Sequence, residues 1–256
     1  MDSHSSASRR ARLRLIIAAA VTGAAVVGIG VAVLSGVGSS DEAPSPPPSA
    51  APSEPESDDS DEGSEMTPGR ARQVQLPQPE RQEAGLSRGF TDDAMGATSA
   101  AVHFQEEFAW LDDAQARRQM ESITSPSSPE TVTTAVSEVR RSREEIGLDP
   151  SGGLPAGLTV TTRVEAVIGR QIATNADDGP VVHVWLVYDR YATGPDAQPD
   201  QAPLVGQLTD FILSWEDGDW LLTEEQQYLD QRFHPVAYDA DSPQAYEAGW
   251  MRVAHE

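Results

Sequence analysis

The residues best suited to chemistry lie in the stretch "VVHVWLVYDRYA", residues 181–192. Its apolar residues and their spacing predict a β-strand. Successive side chains of a strand point to opposite faces, so His183, Trp185 and Asp189 share one face. A histidine and a carboxylate on one face could serve proton transfer, and these three residues form the candidate pocket. In the alternative interpretation, His183 is a hydrogen-bonded wall or surface residue and Trp185 packs in the sheet.

Two missing residue types remove most other chemistry. The chain has no cysteine, and all 18 of its basic residues are arginine. Without lysine there is no Walker lysine and no Schiff base, and without cysteine there is no thiolate nucleophile, thiolate metal site or disulfide. His4, His234 and His255 lie in predicted terminal segments, so no histidine metal site is apparent. The sequence therefore predicts no catalytic residue, no cofactor, no metal and a protein that is not an enzyme.

The N-terminal third of the chain has a composition of its own. Residues 1–14 carry four arginines, and the uncharged apolar stretch that follows them, 15–38, is long enough to cross a bilayer as a helix. Basic residues before a span indicate a cytoplasmic N-terminus. We therefore predict a single-pass cell-membrane protein with a basic cytoplasmic tail and an extracellular C-terminal domain. A cleaved export signal is the alternative.

The next segment, 39–88, is rich in proline, serine and acidic residues and has little to bury. Such a composition predicts a disordered stalk. The whole chain has a formal charge of −23. This acidity argues against nucleic acid as a partner, because nucleic-acid affinity comes mostly from the neutralisation of phosphates.

The pattern of 89–231 predicts an α+β domain. Apolar residues recur at helical spacing three times, and the period then changes to that of four strands. The expected fold class is an N-terminal transmembrane helix, a disordered linker and a cone of about three helices packed on a curved four-stranded antiparallel sheet. Residues 232–256 are predicted to form a C-terminal tail, because Pro235 and Pro243 interrupt any simple extension of the sheet.

The stretch "WEDGDWLL", residues 215–222, predicts a tight hairpin. Asp-Gly is a favoured central pair of a two-residue type I′ turn, in which both residues need positive φ. With Asp217 and Gly218 at the centre, Trp215 pairs with Trp220 across the strands. Calcium binding by the acidic residues is the alternative, but the ordered series of ligands in a calcium loop is missing.

Three helices followed by a sheet that ends in this hairpin resemble the cystatin-like cone of the nuclear transport factor 2-like superfamily, over about residues 90–230. The motif W-x-x-G-x-W of many members is matched by Trp215, Gly218 and Trp220. The layout of tail, span, stalk and cone is similar to the bitopic scaffold subunits of type IV secretion and conjugation machines. The opening "GF-x5-GA-x2-AA" looks like uncharacterised actinobacterial proteins of mobile elements, and is carried by Gly89, Phe90, Gly96, Ala97, Ala100 and Ala101.

The resemblance implies a non-enzymatic, membrane-anchored assembly subunit of a conjugative transfer or type IV secretion-like complex. The expected partners are the membrane, through 15–38, and other proteins of a membrane complex, with a homo-oligomer as an alternative. The tail is more apolar than an inert tail requires, and Tyr246 and Trp250 are its candidate interaction residues; packing on the chain's own domain is the other interpretation. Two alternative functions stay open: an accessory protein of an actinobacterial lipid-import complex, and a small-molecule-binding or isomerase/hydratase-type protein that uses the cone pocket.

Overall fold

A computed structural model describes residues 73–194, 200 and 203–255. Its first elements are three short strands, β1 (Gln73–Val74), β2 (Arg81–Glu83) and β3 (Leu86–Arg88). Strands β2 and β3 form a two-stranded antiparallel sheet. These strands lie within 39–88, the segment that was predicted to be a disordered stalk.

Three helices follow, and side-chain caps explain where the first two begin. They are α1 (Ala94–Glu107), α2 (Asp113–Ile123) and α3 (Glu130–Glu145). The carboxylate of Asp93 accepts hydrogen bonds from two N–H groups in the first turn of α1, and that of Asp112 accepts one in the first turn of α2. Helix α1 packs on the sheet, and its buried residues include Ala97, Ala101 and Phe104.

The main sheet contains six strands among the described residues, in the order β1-β8-β4-β5-β6-β7. Its long strands are β4 (Thr159–Thr174), β5 (Pro180–Thr193) and β6 (Leu204–Glu216), and its short ones are β7 (Asp219–Leu222) and β8 (Met251–Val253). Two short helices, α4 (Gln226–Leu229) and α5 (Pro243–Glu247), lie between β7 and β8. Strand β1 is parallel to β8, and all other pairs in the sheet are antiparallel.

The hairpin predicted from "WEDGDWLL" is confirmed. Trp215 pairs with Trp220, and the two rings meet edge to face at a centroid distance of 5.2 Å. Asp217 and Gly218 have φ angles of 51° and 82°, as a type I′ turn requires. Among the described residues there is no group of three or more histidines, aspartates or glutamates that could hold a metal ion.

The predicted fold class is wrong in its sheet. A four-stranded antiparallel sheet was expected, whereas among the described residues the main sheet is mixed and has six strands, and there is a separate two-stranded sheet. The two additional strands come from the predicted stalk and the predicted tail: β8 pairs with Ala166 and Val167 of β4, and β1 pairs with β8. Strands of two or three residues are too short for an alternating pattern, so their own sequences do not reveal them.

The membrane predictions also require correction. Within residues 73–194, 200 and 203–255, no helix has both the length and the apolar character needed to cross a bilayer. This finding contradicts the predicted transmembrane helix, the single-pass cell-membrane localisation and the extracellular placement of the C-terminal domain. The segment assigned to the crossing, 15–38, lies outside the described residues.

Candidate functional site

His183 lies near the start of β5 and is completely buried. Its Nε2 is 2.9 Å from Oδ2 of Asp210, and the backbone N–H of Phe233 donates a hydrogen bond to its Nδ1 at 3.2 Å. A ring nitrogen that accepts from an N–H carries no proton, so the neutral ring holds its proton on Nε2 and donates it to Asp210. Both ring nitrogens therefore have partners inside the protein.

The face of the sheet that carries His183 is covered by the segment after β7. The ring of Phe233 meets the imidazole edge to face at 4.9 Å, and Trp185 lies 5.5 Å from it on the same strand. The indole N–H of Trp185 donates to the carbonyl oxygen of Phe233 at 2.9 Å. His183 and Trp185 thus bind the two backbone polar groups of one residue, and together they anchor this segment on the sheet.

Asp189 shares the strand face but lies in a different environment. Its carboxylate accepts hydrogen bonds from the backbone N–H of Gly206 and from the hydroxyl of Tyr191, each at 2.8 Å. The hydrogen bond to Asp189 is the main cause that raises the pKa of the Tyr191 phenol. The three candidate pocket residues are therefore on one face, as alternation predicts, but His183 is enclosed whereas Asp189 borders an open groove.

The groove beside Asp189 has a volume of about 430 Å³. Strands β5 and β6 form one side through Val187, Val205 and Leu208, and Tyr238 lines it from the segment between α4 and α5. Val205 and Leu208 are 60% and 53% exposed, among the most exposed large apolar side chains of the described residues. The groove is also lined by the charged residues Glu165 and Arg252, and each oxygen of the Asp189 carboxylate accepts one hydrogen bond from within the protein.

Tyr246 and Trp250, the candidate interaction residues, are buried in the chain's own fold. They pack with Ala166, Ile168 and other residues of the same sheet face, and are 5% and 1% exposed. The indole N–H of Trp250 donates to the carbonyl of Val236 at 2.8 Å, and the hydroxyl of Tyr246 donates to a backbone carbonyl at 2.7 Å. Neither side chain presents a surface to solvent.

Three buried arginines were not predicted from the sequence. Arg88 pairs with Asp219 at 2.9 Å, and Arg143 donates to the backbone carbonyls of the loop after α3. Arg190 lies near the end of β5 on the helix-facing side of the sheet and stacks on the ring of Trp110. Alternation along β5 places Arg190 on the same face as the buried Val184 and Leu186 and not on that of His183. This alternation could have predicted that Arg190 is buried.

The comparisons with known proteins return nothing that bears on the site. No protein-family model, no curated protein and no solved structure matches the chain.

Proposed function

We propose that residues 73–255 form a non-enzymatic interaction domain that acts as an assembly subunit of a larger protein complex. The observation that carries the proposal is an exposed apolar edge of the main sheet. Strand β7 pairs with β6 only from Leu213 to Glu216. In the part of the chain that the structure describes, residues 204–209 of β6 have a strand partner on the β5 side alone.

A free strand edge with exposed aliphatic side chains is a suitable place for another protein to bind. Such an edge leaves backbone N–H and C=O groups available to an added strand, and proteins usually protect it with charges, prolines or β-bulges. The segment "LVGQLTD", residues 204–210, has no charge or proline before its final aspartate, although a bulge interrupts its pairing with β5 at Val205 and Gly206 and the N–H of Gly206 donates to Asp189. The partner that we propose is therefore a protein that contributes an extended segment, with aliphatic side chains that meet Val205 and Leu208.

The state of the polar residues supports a role without catalysis. A general base needs a nitrogen or oxygen that can reach a substrate, and both ring nitrogens of His183 are occupied by Asp210 and Phe233. Asp189 is held by two donors on the groove wall. His183 and Asp189 thus both take part in hydrogen bonds within the fold.

The kind of complex follows only from the resemblance noted in the sequence. A conjugation or secretion complex depends on a membrane-anchored layout, and no helix of the described residues is long and apolar enough to cross a bilayer. The proposal therefore retains the assembly role and a protein partner, with a second copy of this chain as the alternative partner.

The test is site-specific photo-crosslinking in the native host. A photo-reactive amino acid replaces Leu208 in the full chain, and in a matched control it replaces Leu154, an aliphatic residue that is 43% exposed and does not line the groove. We expect a discrete crosslinked product from position 208 that is absent from position 154. The mass of the product distinguishes a foreign partner from a second copy.

A second variant tests whether strand addition is the mode of binding. In this experiment the photo-reactive amino acid replaces Val205, and Leu208→Lys places a charge on the free edge. Natural edge strands use charges to prevent pairing, so this variant should reduce recovery of the crosslinked partner at least about tenfold. The control variant Leu154→Lys should leave the recovery of the crosslinked partner unchanged. Absence of any product at position 208, or equal products at both positions, rejects the proposed function.

A further inference from the structure

The carboxylate of Asp189 lies next to the free edge of β6 and has only uncharged donors around it. Its Oδ1 accepts a hydrogen bond from the backbone N–H of Gly206 and its Oδ2 accepts one from the hydroxyl of Tyr191, each at 2.8 Å. No arginine or histidine of residues 73–194, 200 and 203–255 lies within ion-pair distance of this carboxylate. An ionised carboxylate offers about four acceptor positions, so Asp189 can accept further hydrogen bonds.

The other charged residues of the groove and of the segment 204–210 have partners or lie farther from the edge. Glu165, on β4, forms an ion pair with Arg163 at 3.2 Å. Asp210 is buried and already has ion-pair partners. Arg252 lies on β8, which is two strand spacings, about 10 Å, from β5. Asp189 therefore provides the negative charge closest to the free edge that lacks a cation.

An apolar path leads from the free edge to this carboxylate. Val205 and Leu208 are both exposed and both line the groove, and Gly206 lies between them in the chain. Beyond the chain neighbours of Gly206, no atom of the described residues lies within 4 Å of the point where its side chain would begin. Long basic side chains suit such a path, because their aliphatic stems pack on apolar surface while their charged ends reach a polar partner.

We infer that the partner segment which adds to β6 carries a lysine or arginine whose charged group binds Asp189. This inference rests on the proposed function, because it requires a strand beside β6. That strand lies two strand spacings, about 10 Å, from β5, so only a long side chain from it can meet the side chain of Asp189. Hydrogen bonds from an ammonium or guanidinium group to a carboxylate are stronger than those between neutral groups. The partner is thus a protein with an extended aliphatic segment that contains a basic residue.

The same argument excludes a second copy of this chain that pairs through the same edge. The segment "LVGQLTD", residues 204–210, contains no basic residue, so neither copy could supply a cation to Asp189 of the other. Two copies would also repel each other, because each chain has a formal charge of −23. A basic partner has the opposite relation to this charge, which favours its association.

The experiment extends the crosslinking at position 208 to the sequence of the partner. The full chain with the photo-reactive amino acid at Leu208 is irradiated in the native host, and the product is digested with chymotrypsin, which does not cleave at lysine or arginine. Mass spectrometry then identifies the crosslinked segment of the partner. We expect a lysine or arginine within about two positions of the crosslinked residue, because side chains two positions apart share a strand face.

Two variants with the same change of charge test the role of Asp189. Asp189→Asn preserves the shape of the side chain and should lower recovery of the crosslinked product about tenfold, because the cation of the partner is left without its carboxylate in a desolvated contact. Asp177→Asn, at an exposed residue of the turn between β4 and β5, should leave the recovery unchanged. Circular dichroism of the purified variants establishes that both fold.

The possible failures of this inference differ from that of the proposed function. A foreign partner whose crosslinked segment has no basic residue overturns the inference, and so does unchanged recovery in a folded Asp189→Asn variant. A second copy of this chain as the crosslinked partner overturns it as well. In each of these cases a protein still binds at the edge, so the proposed function stands. Absence of any product at position 208 rejects both. If Asp189→Asn does not fold, the sequence of the partner segment decides the matter by itself.

Discussion

Asp219 of the β6–β7 hairpin holds together parts of the chain that are far apart in sequence, and replacing it by asparagine should cost the protein much of its stability. Its carboxylate pairs with Arg88 at 2.9 Å and with Arg81 at 2.6 Å. It also accepts from the backbone N–H of Trp220 at 2.9 Å. The change Asp219→Asn preserves the shape of the side chain and removes its charge.

The expected loss follows from the burial of the two partners. The side chains of Arg88 and Asp219 are each only 5% exposed, whereas that of Arg81 is 50% exposed. Removal of one partner from a buried ion pair costs about 3–5 kcal/mol, because the other charge remains buried without compensation. The exposed pair with Arg81 adds at most about 1 kcal/mol. Asparagine keeps one oxygen as an acceptor, so we expect a loss near the lower limit, about 3 kcal/mol.

Urea unfolding followed by tryptophan fluorescence measures this loss. The urea concentration at the unfolding midpoint should fall, while the slope of the unfolding free energy against urea concentration stays constant, because the same surface is exposed on unfolding. Asp217→Asn is the matched control: it makes the same change two residues earlier, at an exposed turn position with φ 51°, which asparagine tolerates. That control should stay within about 0.5 kcal/mol of the wild type. Equal losses in both variants, or less than about 1 kcal/mol for Asp219→Asn, would refute the argument from buried charge.

Two further predictions concern pH and backbone conformation. Burial raises the pKa of Glu107, but hydrogen bonds from His103 and Ser87 outweigh it, and the pKa is lowered overall. The carboxylate therefore stabilises the fold at neutral pH by about 1 kcal/mol. The difference in unfolding free energy between wild type and Glu107→Gln should disappear as the pH falls through the lowered pKa. A difference in unfolding free energy that persists in acid contradicts this prediction. Gly218→Ala should cost about 1–2 kcal/mol in urea unfolding, because φ is 82° although no atom lies within 4 Å of the added carbon. Gly194→Ala, which is equally open and has no such φ, should cost less, and equal costs would contradict the conformational explanation.

The sequence by itself determined the local structure of the domain. The hairpin register around Asp217 and Gly218 follows from the φ angles that a type I′ turn demands, and it is confirmed residue by residue. The start of α1 follows from the capping carboxylate of Asp93. The common face of His183, Trp185 and Asp189 follows from strand alternation. Each of these features depends on residues within a few positions of one another.

The tertiary structure alone decided the partners of these residues, and with them the character of the site. Asp219 meets Arg88 across 131 positions, and His183 meets the backbone of Phe233 across 50. No local pattern encodes such pairs, because they arise only when strands and connecting segments pack in three dimensions. The same reason hid β1 and β8, whose hydrogen bonds are specified by the strands beside them rather than by their own two or three residues. It also left Arg190 without a carboxylate partner among the described residues, a feature that only the packed structure reveals.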